Sequence, residues 1–470
     1  MEEMIIPDIL AMRYAEPAMR NIWDRRNRVK LARELWVAIL KAQREFGMSA
    51  PAEAIDAYER VIDQINLESI RRREVVLRHD NLAEIEEFNA LAGFQLVHQR
   101  LTTRDKDDNL DQFQIFAALK LTRDRHIAVL KRFGDAAPTW ATLDITGRTH
   151  FMPAQTTTLG KRFANIAEEL LRPFERLEEL ILSYPMRGIK GPVGTQEDIF
   201  DLLKNREAVR QFENRVREHL GFPALLTSVG QVYPRSLDFE VLALLAQLAS
   251  PLGNFAKMVR LSAGLGLMHE GFSPGQKGSS SMPHKRNART CERINGLVHI
   301  LCGHVRMVEG LLGDQWYEGD VSCSVVRRVA LSGAFFAMSG LTEAVLTVLD
   351  EMEVFERPIA AEIDRFLPFL STARLLGAAT SAGMGREEAH TAIMKHSIAA
   401  LQDIEDGGSN TFLDRLAGDA SFPLANEEVQ MLVEAEHGLA EDQVESIEAR
   451  IWEITSVNKE AAAYKPQPIV

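Results

Sequence analysis

Apolar residues recur three or four positions apart along most of this chain, and no sustained alternation rich in β-branched residues interrupts them. That spacing predicts an all-α protein. The clearest stripe lies in 159–183, where Phe163, Ile166, Leu170, Phe174, Leu177 and Ile181 share one helical face. Runs from Ile294 to Leu312 and from Phe335 to Leu349 predict further bundle helices. Residues 236–262 are apolar on nearly every side and predict a helix buried among several neighbours. Pro173 and Pro251 lie inside these patterns, and each removes a backbone donor, so kinks or breaks are expected there.

Breaks near 105–110, 184–196, 264–288 and 356–372 divide the pattern into three parts. They predict an N-terminal helical domain (1–110), a central long-helix bundle (111–356) containing a loop at 271–287, and a C-terminal helical domain (357–470). The closing stretch AAAYKPQPIV has no periodicity and is expected to be poorly ordered.

Composition narrows the function. With 46% hydrophobic and 26% charged residues, the 470-residue chain has the balance of a folded, water-soluble protein. A net charge of -13 repels phosphate backbones and anionic lipids, so neither nucleic acid nor membrane is an expected partner, and any phosphate must be bound locally. Acidic residues open the N-terminus and no apolar run of signal or anchor type follows, which predicts a cytoplasmic protein. Three cysteines without a CxxC pair fit a reducing compartment. The histidines lack metal-site spacing, so no metal and no cofactor is expected.

The chemistry concentrates in Gly271 to Glu292, GFSPGQKGSSSMPHKRNARTCE, which lies between two helical stretches and carries glycines, prolines, hydroxyls and cations together. By composition it is either a closing functional loop or a solvated linker. The order of residues decides between them. Gly278 to Asn287 (GSSSMPHKRN) resembles the GSSxMPxKxN signature of the fumarase/aspartase superfamily. The resemblance implies that Ser279 is the base removing a proton beside a carboxylate, that Lys285 and Asn287 hold that carboxylate, and that Glu292 belongs to the catalytic set. Such a set suits a carbanion that survives only by delocalising into its carboxylate, where fixed cations and amide donors stabilise it. A serine is a poor base at its ordinary pKa, so Ser279 must ionise as the loop closes beside Lys285 and excludes water.

Further blocks resemble the adenylosuccinate lyase family within that superfamily. Gly147-Arg148-Thr149-His150, with Pro153-Ala154-Gln155 and Gly160 to Ala164, matches GRTHxxPAQxTTxGKRFA and implies His150 as the acid that protonates the departing nitrogen, with Thr149 contacting substrate. Imidazole exchanges protons near neutral pH and suits that task. On residue type alone, His150 reads as a structural residue at the entrance of an amphipathic helix. His98 to Asp105 resembles HxGxTSxD, which implies substrate contacts by Thr102 and Thr103; read structurally, the same block is an N-cap and turn before a helix from Leu110.

Arg78-His79-Asp80 resembles a (K/R)HD segment, which implies that His79 assists the acid and Asp80 lines the site. Arg13 and Tyr14 in RYAEPAM, and Ser324 and Arg328 in QWYEGDVSCSVVRR, match phosphate ligands; Gln231, Arg286 and Arg293 complete the implied substrate set. Gly319 stands where most relatives carry an arginine, Ala288 replaces a proline, and Met152 replaces a Gln or Val.

The resemblance covers residues 12 to 395, with little from the last 75. It implies three helical domains, a homotetramer built on the central bundle, and active sites shared among three subunits. It also implies β-elimination of fumarate from adenylosuccinate, giving AMP, and from succinylaminoimidazole carboxamide ribotide in purine nucleotide biosynthesis. Two alternatives stay open: a superfamily lyase with another leaving group, and a helical scaffold without catalysis.

Overall fold

The structure, a computed structural model, describes residues 8–272 and 275–467. Ser273 and Pro274 of the expected loop lie outside the described residues. The N-terminal elements are α1 (Ile9–Arg13), α2 (Pro17–Trp23), α3 (Arg25–Glu45), α4 (Ala52–Arg60), α5 (Leu67–Leu77) and α6 (Asp80–Ala92). The long helix α7 (Thr103–Thr139) leads to the hairpin β1 (Asp144–Thr149) and β2 (Met152–Thr158), then to α8 (Leu159–Ser183). Next come β3 (Pro185–Met186), α9 (Glu197–Leu203), α10 (Arg206–His219), β4 (Ala224–Leu225), α11 (Ser236–Gly264) and β5 (Met268–His269). Helices α12 (Arg289–Glu309) and α13 (Ser322–Glu351) complete the bundle, and β6 (Glu353–Val354) follows. The C-terminal part holds α14 (Glu356–Leu370), α15 (Thr372–Ser381), α16 (Arg386–Glu405), α17 (Phe412–Ala417), α18 (Asn426–Met431), α19 (Ala440–Val457) and α20 (Lys459–Ala462).

The expected helical fold is what the chain adopts. One continuous core joins α7, α8, α11, α12 and α13 through Phe133, Phe163, Leu170, Phe255, Leu301 and Leu341, all buried. Each such side chain contributes roughly 1.5–3 kcal/mol by leaving water. The stripe predicted in 159–183 is the buried face of α8, and Thr158 caps that helix by accepting from Lys161 N at 3.1 Å. α11 and α13 are long and apolar enough to match membrane spans by composition, yet both pack largely inside the protein.

Several expectations need correction. α7 begins at Thr103 and runs unbroken through 105–110, so the charged DKDDNL stretch is helix, as is most of 356–372 in α14. Asp105, Asp108 and Asn109 are buried and bonded there, which their polarity alone did not reveal. Pro173 and Pro251 sit inside α8 and α11 without ending either helix. The tail is held in place as far as residue 467: the Tyr464 ring lies 3.4 Å under the Arg125 guanidinium, its hydroxyl donates to Glu343 at 2.9 Å, and Gln467 N donates to Glu343 at 2.6 Å.

Candidate active site

α13 sorts the predicted residues into two groups. It spans 30 residues, which at 1.5 Å per residue is about 45 Å. Its C-terminal end, at Glu351, meets the start of the signature loop and its N-terminal end carries Ser324 and Arg328, so Ser324 stands about 40 Å along the helix from where the loop departs.

At the loop end, β5 pairs with β6 just beyond α13, and the loop departs from there. Gly271 has φ of 98° and passes so close to Glu351 that a side chain would collide with its backbone. Gly278 faces the Lys285 carbonyl with the same restriction, and Asn287 Nδ2 donates to Gly278 O at 2.8 Å, clasping the two ends of the loop. Ser279 Oγ accepts from Met282 N at 3.1 Å and from Ser281 N at 3.4 Å. Donors aimed at that oxygen favour its anion, which is what a serine base requires. The Lys285 side chain is exposed and makes no ion pair among the described residues, while Arg286 pairs with Glu353 and Glu292 lies 4.0 Å from Arg260.

Arg13, Tyr14 and Arg293 gather beside this loop. Tyr14 packs on α13 at Gly340, where an added Cβ would lie 2.6 Å from Tyr14 Cβ, and the Arg293 guanidinium sits 5.7 Å from the Tyr14 ring centroid. Arg13 and Arg293 line a cavity of about 920 Å³ with Lys277 and Arg289 from the signature segment. Burial lowers the Arg293 pKa, Tyr14 opposes that, and the like charges Arg13 and Arg289 lower it further. Such a gathering of cations is relieved by an anion.

His150 is not at a helix entrance. It occupies the turn between β1 and β2, where His150 and Phe151 both have positive φ (51° and 66°), as a two-residue hairpin turn of the primed type requires. Neither is glycine, so the backbone there is strained, a condition common at functional sites. Arg148 anchors the hairpin to α14 through Glu362 at 2.6 Å, and Thr149 and His150 stand exposed. Phe151 lines a cavity of about 210 Å³ together with Leu267 and Met268, which places the hairpin at the loop end of the bundle.

At the other end, three helix N-termini meet around a cavity of about 310 Å³ lined by Asp80 of α6, Arg104 and Lys106 of α7, and Ser324 and Arg328 of α13. Helix N-termini favour anions. His79 caps α6 by accepting from Leu82 N at 3.3 Å, and Thr102 precedes α7 with its amide donating to Asp105 at 2.9 Å. Thr103 opens α7, and Gln231 N donates to Glu318 O at 2.6 Å, so the 316–321 segment rests on Gln231. His98 is structural: its Nδ1 accepts from Trp36 at 3.1 Å, and burial pushes its pKa down to about 4.

A buried ionic lattice fixes this end. Arg187 donates to Asp105 at 2.6 Å, Arg235 to Asp108 at 3.1 Å, and Arg327 to Asp238 and Asp111 at 2.7 Å each. Burial would lower the Arg327 pKa, but Asp238, Tyr233, Asp111 and Asp108 together raise it well above its ordinary value. For Asp111, burial would raise the pKa, yet Arg28 and Arg327 hold it well below the usual carboxylate range. The sequence pattern did not single out this lattice, nor Arg104, Lys106 and Arg289. The structure supplies the signal for Arg104: it is a cation in the first turn of a helix, where the dipole disfavours one.

In sequence and in fold the chain is similar to known lyases. The family described as lyase matches residues 13–303, and the family described as adenylosuccinate lyase C-terminus matches residues 368–446. The second match corrects the expectation that the last 75 residues add little. The chain is 32% identical to adenylosuccinate lyase of Saccharomyces cerevisiae over 93% of its length and 92% of that protein. It is 27% identical to adenylosuccinate lyase of Archaeoglobus fulgidus over 93% and 96%. In fold it is similar to a 3-carboxy-cis,cis-muconate lactonizing enzyme from Pseudomonas putida (TM-score 0.81, 20% identity, covering 96% and 100%). It is likewise similar to a fumarate lyase from Mesorhizobium (TM-score 0.79, 20% identity, covering 93% and 98%). The chain is thus a lyase, and it belongs to the adenylosuccinate lyase family of the fumarase/aspartase superfamily.

Proposed function

We propose that the loop end of one chain and the cradle end of another close on a single succinylated purine nucleotide, with the hairpin His150 contributed by a third chain of a homotetramer. The observation that carries this is the separation, about 40 Å along α13, between Ser324 and the departure of the signature loop, both of which one small substrate needs together. Exposed apolar residues on α12 and α13 (Ile300, Met307, Val325, Val329) support the association of copies.

In this reading Arg13, Tyr14, Arg293, Ser324 and Arg328 bind phosphate, while Thr102, Thr103, Thr149, Gln231 and Arg286 hold the rest of the substrate. Asp80 and His79 line the site, and His79 assists the acid. Ser279 removes the proton from the carbon beside a succinyl carboxylate, and Lys285 and Asn287, with Glu292 nearby, stabilise the carbanion. Asn287 must then release Gly278 O or share its donors. Electrons flow into the new carbon–carbon double bond, the carbon–nitrogen bond breaks, and His150 protonates the departing nitrogen. The products are fumarate and AMP, and the imidazole carboxamide precursor reacts in the same way. Three unpaired cysteines fit the cytoplasm as the proposed compartment.

An ultraviolet assay of fumarate release from adenylosuccinate tests the reading. Turnover is the expected result, and its absence from the assembled protein overturns it.

A further inference from the structure

We propose that Arg104 is a further phosphate-binding residue at the cradle end, supplying a guanidinium that position 319 cannot. The inference deepens the function proposed above and rests on it. Arg104 is the second residue of α7, so the helix dipole gives no reason for a cation there. Its Nη2 donates to Ser324 Oγ at 3.0 Å, and its Nη1 to Asp108 Oδ1 at 3.3 Å. Asp108 is already committed: it accepts from Tyr233 N at 3.0 Å and from Arg235 at 3.1 Å, both shorter than its 3.3 Å contact with Arg104.

The other cations around the cavity are matched. Lys106 pairs with Glu84 at 2.8 Å, Arg28 with Asp111 at 2.7 Å, and Arg327 with Asp238 and Asp111. Arg328 forms no ion pair among the described residues. Two guanidiniums, Arg104 with its single long pair to Asp108 and Arg328 with none among the described residues, therefore line the cavity together with the Ser324 hydroxyl, beside the N-termini of α6 and α13. Asp80 turns one oxygen to Asn81 N at 2.7 Å. A tetrahedral dianion that accepts several donors fits this set.

Position 319 offers no alternative. A Cβ on Gly319 would lie 2.9 Å from Gln231 Cβ and 3.2 Å from its Oε1, so any side chain there displaces Gln231. Arg104 stands on the rigid start of a 37-residue helix and needs only to redirect the donor it now gives to Ser324.

The test compares adenylosuccinate with succinyladenosine, the same molecule without phosphate, using the full assembled enzyme. Arg104→Met is expected to lose roughly 30-fold in kcat/KM for the nucleotide, mostly through KM, the effect of one charge-assisted contact. Its kcat/KM for the nucleoside stays unchanged, competitive inhibition by inorganic phosphate weakens, and Arg104→Lys recovers part of the loss. Arg104→Gln, which keeps a polar amide at this position without the charge, gives the same ratio if the methionine variant melts. Equal losses on both substrates, as a contact to the succinyl carboxylates or a purely structural role would cause, overturn the proposal, as does an unchanged KM. Wild-type enzyme that releases no fumarate from either substrate overturns the functional reading itself, before any variant is compared.

Discussion

The two ends of α13 are built on opposite plans. Around Ser324 the backbone of three helix starts is tied down by buried pairs: Asp105 with Arg187, Asp108 with Arg235, and Asp238 with Arg327. Around Ser279 the loop holds itself through a few of its own amides, and its charged side chains reach water. Buried pairs contribute little net stability, because desolvation offsets their attraction, but they leave few alternative geometries. Under the proposed function the difference separates two tasks: a fixed cradle for recognising the nucleotide, and a loop segment for excluding water and transferring the proton.

The largest effects belong to the loop end. Ser279→Ala and His150→Ala are each expected to lose 10²- to 10⁴-fold or more in turnover with the assembly intact, as removal of a proton-transfer group does. The comparison becomes sharper when Ser279→Ala chains are unfolded and refolded with Arg328→Ala chains. If a site takes one end from each of two copies, random assortment restores about a quarter of the sites. Refolded mixtures as inactive as either parent would place both ends in one chain's site and break the scheme.

At the cradle end the expected change is in stability. Asp105→Ala strands buried Arg187 and removes the acceptor for Lys190 N and Gly191 N, at a cost of about 3–5 kcal/mol by urea unfolding. Acid acts next. His126, buried in α7 and bonded to Thr122 O at 2.8 Å, has its pKa pushed by burial to about 4 from an ordinary 6.5. The unfolded chain takes up that proton first, so stability falls as the pH drops from 6.5 towards 4, by about 3 kcal/mol in all. His98 moves in the same direction, and its protonation breaks the Trp36 bond. Urea midpoints measured across that range should lose part of their slope in His126→Leu, and an unchanged slope would remove the assignment. The smallest effect returns to the loop end: Glu353→Gln breaks only the half-exposed pair with Arg286 and should cost less than about 1 kcal/mol. A cost comparable to that of Asp105→Ala would erase the contrast between the ends.

Much of this was legible in the chain. The 3.6-residue period placed α8, α11, α12 and α13, and the signature order singled out Ser279, Lys285 and Asn287. The hairpin under His150 was not legible, since its strands lack an alternating apolar face and its turn uses His150 and Phe151 where glycine or asparagine would have signalled one. The start of α7 was missed because Asp105, Asp108 and Asn109 read as solvated, while their partners Arg187, Tyr233, Arg235 and Gly188 lie 79 or more residues away. The same distance hid the anchoring of Tyr464 by Arg125 and Glu343.

By itself the sequence determined the helical class, the main bundle helices and the motifs that single out candidate side chains, because periodicity and short motifs are local properties of the chain. Only the tertiary structure decided that these side chains divide between two ends of one helix, one end locked and the other loose. That division follows from the length of α13 and from pairings between distant charges, and neither is written within any one segment.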